Sequence, residues 1–222
     1  MSNQDSSNTT KKSTVYVALI TALAIIVGSV ILGIGGQTTT PEATPEAAPA
    51  VDLPNAGITE SNKATISFTT NQGEIVIETT PSLAPLTVNA IAALAQKNYF
   101  DNTICHRLTT EGIFVLQCGD PTGTGTGGPG FNIPDENLPE AVENNYPAGT
   151  VAMANAGPGT SGSQFFLVYQ DTTLGPDYTI WGSITSGLDI LKTIASAGVV
   201  GGGADGAPVT GVTIESTKVT IS

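Results

Sequence analysis

A predominantly apolar run of 20 residues that carries no charge, from position 15 to position 34, constrains this chain more than any other feature. It has the length that an α-helix needs to cross roughly 30 Å of bilayer hydrocarbon. Lys11 and Lys12 precede the run and the first charges after it are acidic, so the positive-inside rule predicts a cytoplasmic N-terminus. We therefore expect a single-pass cell-membrane protein with a cytoplasmic tail (1–14), a transmembrane helix (15–34) and an extracytoplasmic remainder. The alternative is a cleaved signal peptide, whose apolar segment usually spans only about 7–15 residues.

Two further segments follow the apolar run. Residues 35–62 are rich in Pro, Thr and Ala and show no apolar periodicity, which is typical of an extended linker. Residues 63–222 are numerous enough to bury the core of one domain. The sequence thus predicts a linker that separates the membrane helix from a single globular domain.

Strand patterns dominate this predicted domain. Alternating apolar residues on either side of Asn71-Gln72-Gly73 predict a β-hairpin. The i, i+3, i+4, i+7 spacing that begins at Val88 predicts a helix over 86–97, and a second helix is predicted over 188–197. Further strands are predicted over 103–108, 114–118, 150–154, 164–169, 178–184 and 209–221. So many short strands with two helices favour a mainly β fold, a closed antiparallel barrel with helices over its ends.

The charge of the chain excludes some classes of partner. Its seven Lys and Arg stand against 19 Asp and Glu, for a formal charge of −12. Such an acidic surface lacks the basic stripe that binds nucleic-acid phosphates, so we expect no nucleic-acid partner. One His and two Cys are too few for a structural zinc site. We therefore expect no metal.

Two local motifs suggest chemistry but lack the context that it needs. Residues 123–128 match G-x-G-x-x-G, yet Pro129-Gly130 follows where a phosphate-binding loop would open a helix. His106 is the only histidine and raises the hypothesis of a hydrolase. However, the neighbouring Arg107 disfavours the imidazolium that a general base must form. We interpret the first motif as an irregular loop and His106 as an interior strand residue.

Arg107 is the only arginine of the chain. It lies in a predicted strand of apolar and β-branched residues, shortly before Phe114 and Gln117, so its guanidinium is expected near aromatic and amide groups. Six segments carry a distinctive pattern: 100–103 (FDNT), 106–107 (HR), 114–120 (FVLQCGD), 125–128 (GTGG), 135–137 (DEN) and 153–166 (MANAGPGTSGSQFF). Together they resemble the cyclophilins, and the resemblance spans nearly all of 63–222.

This resemblance implies a fold, an activity and a set of site residues. The implied fold is a closed eight-stranded antiparallel barrel capped by two helices. The implied activity is peptidyl-prolyl cis-trans isomerisation, which needs no cofactor. Arg107 falls on the family's catalytic arginine. Nine further residues fall on substrate-binding positions: Phe114, Val115, Gln117, Ala154, Asn155, Gln164, Phe166, Leu174 and Tyr178. The expected partners are proline-containing peptides and unfolded or secreted proteins. The isomerase domain is expected to be monomeric and to help such proteins fold outside the cytoplasm.

Three positions depart from the family pattern. Val115 stands where the family often has Met, Thr173 where many members have Trp, and Tyr178 where many have His. The segment from Arg107 to Phe114 is also two residues longer than usual. These departures leave a non-catalytic proline-peptide-binding or scaffolding module on the membrane as the alternative function. Because that tryptophan contacts cyclosporin in the family, its absence predicts weak inhibition by cyclosporin.

The two cysteines, Cys105 and Cys118, lie on consecutive predicted strands. If those strands pair antiparallel, the side chains can face one another and form a disulfide of the kind that persists outside the cytoplasm. Two buried free thiols are the alternative, and the sequence leaves both open.

Overall fold

A computed structural model of the chain describes residues 52–222. The predicted cytoplasmic tail, the predicted transmembrane helix and the first part of the predicted linker lie outside the described residues. Within residues 52–222, none of the helices combines the length and the apolar character that a bilayer crossing requires.

The described chain forms ten strands in one sheet and two α-helices. The helices are α1 (Pro85–Gln96) and α2 (Leu188–Ala197), followed by a short 3-10 turn at Val200–Gly202. The strands are β1 (Ala64–Thr70), β2 (Gly73–Thr79), β3 (Thr103–Ile104), β4 (Arg107–Thr109), β5 (Val115–Cys118), β6 (Thr150–Met153), β7 (Phe165–Val168), β8 (Ile180–Ser186), β9 (Asp205–Gly206) and β10 (Thr213–Ile221). The prediction of a mainly β fold with two helices is therefore confirmed.

The sheet curls so that its two ends approach each other. Its hydrogen-bonded order is β3-β10-β1-β2-β8-β6-β7-β5-β4-β9, and all these pairs are antiparallel. β3 and β4 lie at or next to opposite ends of this order, yet only Cys105 and His106 separate them in the chain. The prediction of a single strand over 103–108 was therefore wrong, because the chain forms two strands that are interrupted at these two residues. Ten strands replace the predicted eight, and closure of the sheet into a barrel stays a prediction.

The two faces of the sheet bury different clusters, because successive side chains of a strand point to opposite faces. The inner face carries the main core, which includes Leu116, Phe165 and Trp181. The outer face carries a smaller cluster around Val115 and Phe166. Helix α1 packs against β10 and α2 against β2, so both helices leave the outer cluster uncovered.

Glu136 supplies the N-terminal cap of α1 from a distant loop. The residue before the helix, Ala84, offers no side-chain cap. Instead the backbone N–H groups of Leu86 and Thr87 donate to the Glu136 carboxylate at 3.0 and 2.8 Å. A carboxylate is favourable at this end of a helix because unpaired N–H groups and the positive end of the helix dipole meet there. The cap ties the long loop after β5 to α1.

Residues 52–62, the final part of the predicted linker, lie against the domain, and we call them the N-terminal strap. Ile58 is buried in the main core. The Asn89 side chain of α1 accepts from the Ile58 backbone N–H at 2.9 Å and donates to its carbonyl at 2.7 Å. The folded unit therefore begins before Lys63, the boundary predicted for the domain.

Candidate active site

Strand register aligns the central side chains of the site across the outer face of the sheet. Arg107 on β4 lies opposite Gln117 on β5. Gln117 lies opposite Phe166 on β7, and Phe166 opposite Ala152 on β6. Because directly opposed residues project to the same face, four strands deliver a guanidinium, an amide, a phenyl ring and the Ala152 methyl group to one row.

A cavity of about 180 Å³ opens beside this row. Its lining combines one guanidinium and two amide residues with an apolar wall: Arg107, Ile113, Val115, Gln117, Ala154, Asn155, Phe166, Leu174 and Tyr178. The structure therefore brings together all but two of the residues predicted for the site. A neighbouring cavity of about 830 Å³ shares Gln117, Ala154 and Asn155 with the first and contains Gln164.

Phe114 is the predicted residue that the structure places elsewhere. Its neighbours Ile113 and Val115 line the small cavity, whereas Phe114 packs edge-on against Tyr169 and against the main core. The reason is the two-residue period of an extended chain, which puts Ile113, Val115 and Gln117 on one face and Phe114 on the other. Ile113 takes the place that the resemblance gave to Phe114.

Arg107 is held on two sides. Its Nε donates to Asp205 Oδ1 at 2.8 Å and its Nη2 to Asp205 Oδ2 at 2.7 Å. Its Nη1 donates to Gln117 Oε1 at 3.2 Å. The hydrogen bond to Asp205 raises the pKa of Arg107, and the same contact lowers the pKa of the Asp205 carboxyl. The site therefore presents a permanently charged, oriented donor.

A chain of amides continues from the guanidinium to residues 123–128, which we call the glycine-rich loop. Gln117 Nε2 donates to Gln164 Oε1 at 2.9 Å. Gln164 Nε2 in turn donates to the carbonyls of Gly125 and Gly127 at 3.1 and 2.9 Å. The orientation of Gln117 is thus set from both ends, by Arg107 and by Gln164.

Asp120 organises that glycine-rich loop from within. Its carboxylate is fully buried and accepts from the backbone N–H groups of Thr122, Thr124, Gly125 and Gly127. Burial alone would raise the pKa of Asp120, but the hydrogen bonds to its charged form lower the pKa to about 2. The motif interpreted as an irregular loop is therefore wound around a buried carboxylate.

Two consecutive residues hold the far wall of the cavity. The Asn145 side-chain amide donates to the Leu174 carbonyl at 2.8 Å and accepts from the Leu174 backbone N–H at 3.0 Å. The buried Tyr146 hydroxyl accepts from the Tyr178 backbone N–H at 3.1 Å, and the Tyr146 ring packs near those of Phe166 and Tyr178. Burial raises the pKa of Tyr146 to about 12, so its hydroxyl stays neutral at any physiological pH.

The junction between β3 and β4 adjoins the site. Cys105 and Cys118 form a disulfide that ties this junction to β5. His106 lies between the disulfide and Arg107, and neither of its buried ring nitrogens has a hydrogen-bond partner among residues 52–222. Without a partner that orients it, the ring lacks the geometry of a general base.

Sequence reasoning missed Asn145 and Tyr146, which hold the far wall, and three further residues that shape the site. Ile113 could have been found by applying strand alternation through Val115 and Gln117. Asp120 closes a segment that the resemblance included, without any role assigned to it. Asp205 lies 98 residues from Arg107 in the chain, and no local pattern marks it.

A model of the family described as "Cyclophilin type peptidyl-prolyl cis-trans isomerase/CLD" matches residues 65–219. Among curated proteins, "Probable peptidyl-prolyl cis-trans isomerase B" of Mycobacterium tuberculosis is 45% identical over 196 residues, covering 82% of this chain and 64% of that protein. Its Mycobacterium leprae counterpart is 46% identical over 192 residues, covering 81% and 65% respectively. The chain thus spans slightly less than two thirds of the length of these mycobacterial relatives.

Solved structures are similar over the same part of the chain. A cyclophilin type peptidyl-prolyl cis-trans isomerase of Cryptosporidium parvum is 30% identical with a TM-score of 0.62, covering 71% of this chain and 98% of that one. The same protein, solved in the presence of the dipeptide Ala-Pro, is 31% identical with a TM-score of 0.61, covering 70% and 98% respectively.

Proposed function

The chain belongs to the cyclophilin-type peptidyl-prolyl cis-trans isomerase family, and from that premise we propose that its domain isomerises X-Pro peptide bonds. The observation that carries this proposal is the position of Arg107, whose guanidinium borders an apolar cavity. A neighbour of known structure was solved in the presence of Ala-Pro, which supports a proline-containing substrate for this chain as well.

Isomerisation of an X-Pro bond requires only that the enzyme stabilise the twisted amide. Rotation about a peptide bond crosses a barrier of roughly 18–20 kcal/mol, because the twisted state loses amide resonance. Loss of resonance leaves a lone pair on the prolyl nitrogen. A fixed N–H donor that meets this lone pair binds the twisted state more strongly than either planar state and so lowers the barrier. No bond is broken, so the reaction requires no nucleophile.

Each group in the site has a role in this scheme. The apolar wall formed by Val115, Phe166 and Leu174 receives the proline ring, and Arg107 donates to the prolyl nitrogen. Gln117 and Gln164 hydrogen-bond the flanking peptide. The Asn155 side chain already donates to the carbonyl of Asp177 at 2.8 Å, so we assign peptide binding at this position to its backbone.

The test is isomerisation of an X-Pro tetrapeptide by the 222-residue chain beside Arg107→Ala and Arg107→Lys. One preorganised donor is typically worth about 10²–10³ in rate, so Arg107→Ala is expected to lose roughly that much in kcat/KM. Arg107→Lys should lose nearly as much, because lysine lacks the planar fork. Near-normal kcat/KM in the lysine variant would contradict the role given to the guanidinium.

The non-catalytic module remains the competing function, and the same samples separate the two. A folded chain that binds the tetrapeptide without accelerating its isomerisation would favour the module. Loss of His106 provides a further control: His106→Ala should retain kcat/KM within a few fold, whereas a hydrolase based on His106 requires that histidine for its reaction.

We also propose that the domain works outside the cytoplasm, anchored by residues 15–34, on proteins that fold there past slow X-Pro bonds. Two observations support this location. The apolar run follows two lysines, and the domain contains a disulfide, a bond that persists in oxidising compartments. Protease added to intact cells should digest the domain and leave a membrane-bound N-terminal fragment. A domain protected in intact cells and digested only after lysis would contradict the orientation.

We further infer that the curled sheet closes into the barrel that the resemblance implies. The support is that β3 and β4 are consecutive in the chain, although β3 lies at one end of the strand order and β4 lies next to the other end. We expect the backbone amides of residues 103–109 to resist hydrogen exchange as strongly as those of β5–β7. Rapid exchange at this junction would contradict closure of the barrel.

A further inference from the structure

Asp205 makes the most specific contact to the candidate catalytic arginine. It belongs to β9, whose Asp205 lies opposite Thr109 on β4, two residues beyond Arg107. In an antiparallel pair the diagonal neighbour lies within reach of a long side chain, and Arg107 spans this diagonal. Both carboxylate oxygens are engaged, one by Nε and one by Nη2.

The donors of the guanidinium can be counted. An arginine side chain has five N–H bonds in a fixed plane. Asp205 takes two of them and Gln117 takes a third. One N–H therefore remains on each terminal nitrogen for a bound peptide. Since the two-point contact fixes the plane of the fork, Asp205 also fixes where these two donors lie relative to the cavity.

Stability does not explain this ion pair. The side chains of Arg107 and Asp205 are 38% and 55% exposed, and ion pairs this exposed contribute little to folding. What the pair does change is the freedom of Arg107, a long side chain that otherwise samples many rotamers. A donor held in place before the substrate arrives need not be reorganised during the reaction.

We propose that Asp205 is a positioning residue that holds the Arg107 guanidinium in its catalytic orientation, an inference that rests on the isomerase function proposed above. Asp205 contributes no bond to the reacting amide and acts through Arg107 alone. Its removal therefore lowers kcat and leaves KM nearly unchanged, since the apolar wall and the amides still bind the peptide.

The kinetic test compares Asp205→Ala and Asp205→Asn in the 222-residue chain, with Glu215→Gln as a matched control on the exposed face of β10. Asp205→Ala should lower kcat about tenfold with KM within about twofold, because small misplacements of a catalytic group cost this much or more. Asp205→Asn, which retains one acceptor, should fall between wild type and Asp205→Ala. Asp205→Ala added to Arg107→Ala should cause no further loss. The proposal would be overturned if Asp205→Ala had the kcat of wild type. It would also be overturned if Asp205→Ala lowered kcat as much in the Arg107→Ala background as in wild type.

A second readout does not depend on activity. Arg107 is the only arginine, so a chain labelled with ¹⁵N-arginine gives a single Nε–H signal in an NMR spectrum. In wild type this signal should be sharp and protected from exchange with water, and in Asp205→Ala it should shift and exchange rapidly. An unchanged signal would overturn the positioning role even if the chain isomerised nothing. If wild type itself fails to isomerise the tetrapeptide, the proposed function fails, and the signal still decides whether Asp205 orients Arg107.

Discussion

At the scale of single residues, the apolar wall of the cavity depends on which side chains of 113–115 face outward. Ile113 and Val115 line the cavity, and Phe114 lies on the opposite face against Tyr169. Ile113→Ala is therefore expected to lower kcat/KM at least about tenfold, because a few missing carbons in an apolar pocket cost this much. Phe114→Leu should lower the free energy of unfolding by about 1 kcal/mol and leave kcat/KM within about twofold. Tetrapeptide kinetics and urea unfolding of both variants are the measurements, and a larger kinetic loss in Phe114→Leu would contradict the assignment.

His106 is predicted to make the free energy of unfolding depend on pH. Burial lowers its pKa, and Arg107 adds to this while Asp120 opposes it. In the unfolded state the His106 ring binds a proton below a pKa of about 6.5. In the folded state it binds that proton only at a lower pH. The contribution of the neutral ring is fully present above the pKa of the unfolded state and is lost as pH falls towards the lowered folded pKa.

The corresponding experiment compares wild type with His106→Phe. The free energy of unfolding in urea should fall between pH 7 and pH 5 in wild type and fall less in the variant. The carboxyls of Asp120 and Asp205, whose pKa values are lowered, titrate below this window and do not obscure it. Identical pH slopes in the two proteins would show that His106 is not buried as a neutral ring.

At the scale of elements, the glycine-rich loop is predicted to depend on the charge of Asp120. In Asp120→Asn an amide NH₂ would face several of the N–H donors that the carboxylate now accepts. We expect a loss of about 1–3 kcal/mol in the free energy of unfolding at pH 7, with a lower kcat/KM because Gln164 bonds to this loop.

Asp171→Asn is the matched control, because Asp171 is exposed and accepts one backbone hydrogen bond, from Ala148. Its effect on stability should stay within about 0.5 kcal/mol. The Asp120→Asn deficit should also shrink as pH falls towards 2, where the wild-type carboxylate takes up its proton. A deficit that persists unchanged at low pH would contradict an electrostatic origin.

The disulfide constrains the junction from which Arg107 extends. Cys105 and Cys118 are separated by 13 positions, and a bridge that closes so short a loop stabilises by roughly 3 kcal/mol. Replacement of both cysteines by Ala should lower the free energy of unfolding by that amount, and wild type unfolded with a reductant should match the double variant. Two free thiols titrated in unreduced, denatured wild type would contradict the bond.

The elements that sequence patterns predicted well are those with a strong local period. Helix α2 has the predicted bounds, and α1 begins and ends one residue earlier than predicted. The short strand β3 was not separated from β4, and β9 was not predicted at all, because two-residue strands have no measurable alternation. Their pairing is decided by partners far away in the chain, as for β9 on β4.

The candidate site divides in the same way. Arg107, Gln117 and Phe166, which the structure places at one cavity, could be predicted as neighbours because each lies within a contiguous motif of the resemblance. Phe114 lies outside this cavity because strand alternation puts it on the face opposite Val115 and Gln117, and the resemblance by itself carries no information on that alternation. Asp205 could not be predicted at all, because only the folded sheet brings it to Arg107.

At the scale of the whole molecule, the N-terminal strap decides where the folded unit starts. Residues 52–62 precede the predicted domain boundary, yet Ile58 is 5% exposed and Asn89 forms two hydrogen bonds to its backbone. A strap bound in this way fixes the point at which the chain that precedes residue 52 joins the folded domain. Any tether on the N-terminal side therefore pulls first on the contact between the strap and α1.

Removal of the strap should consequently destabilise the domain. A fragment of residues 63–222 is expected to unfold with about 3 kcal/mol less free energy than a fragment of residues 52–222. The loss combines the burial of one Ile side chain, roughly 1.5–3 kcal/mol, with two hydrogen bonds between Ile58 and Asn89, each worth about 0.5–1.5 kcal/mol net. Asn89 keeps its third hydrogen bond, to the Pro85 carbonyl. Asn89→Ala in the longer fragment should reproduce only part of this loss, since Ile58 keeps its apolar contacts. Equal urea midpoints for the two fragments would mean that the strap adds no stability, and the folded unit would then begin at Lys63.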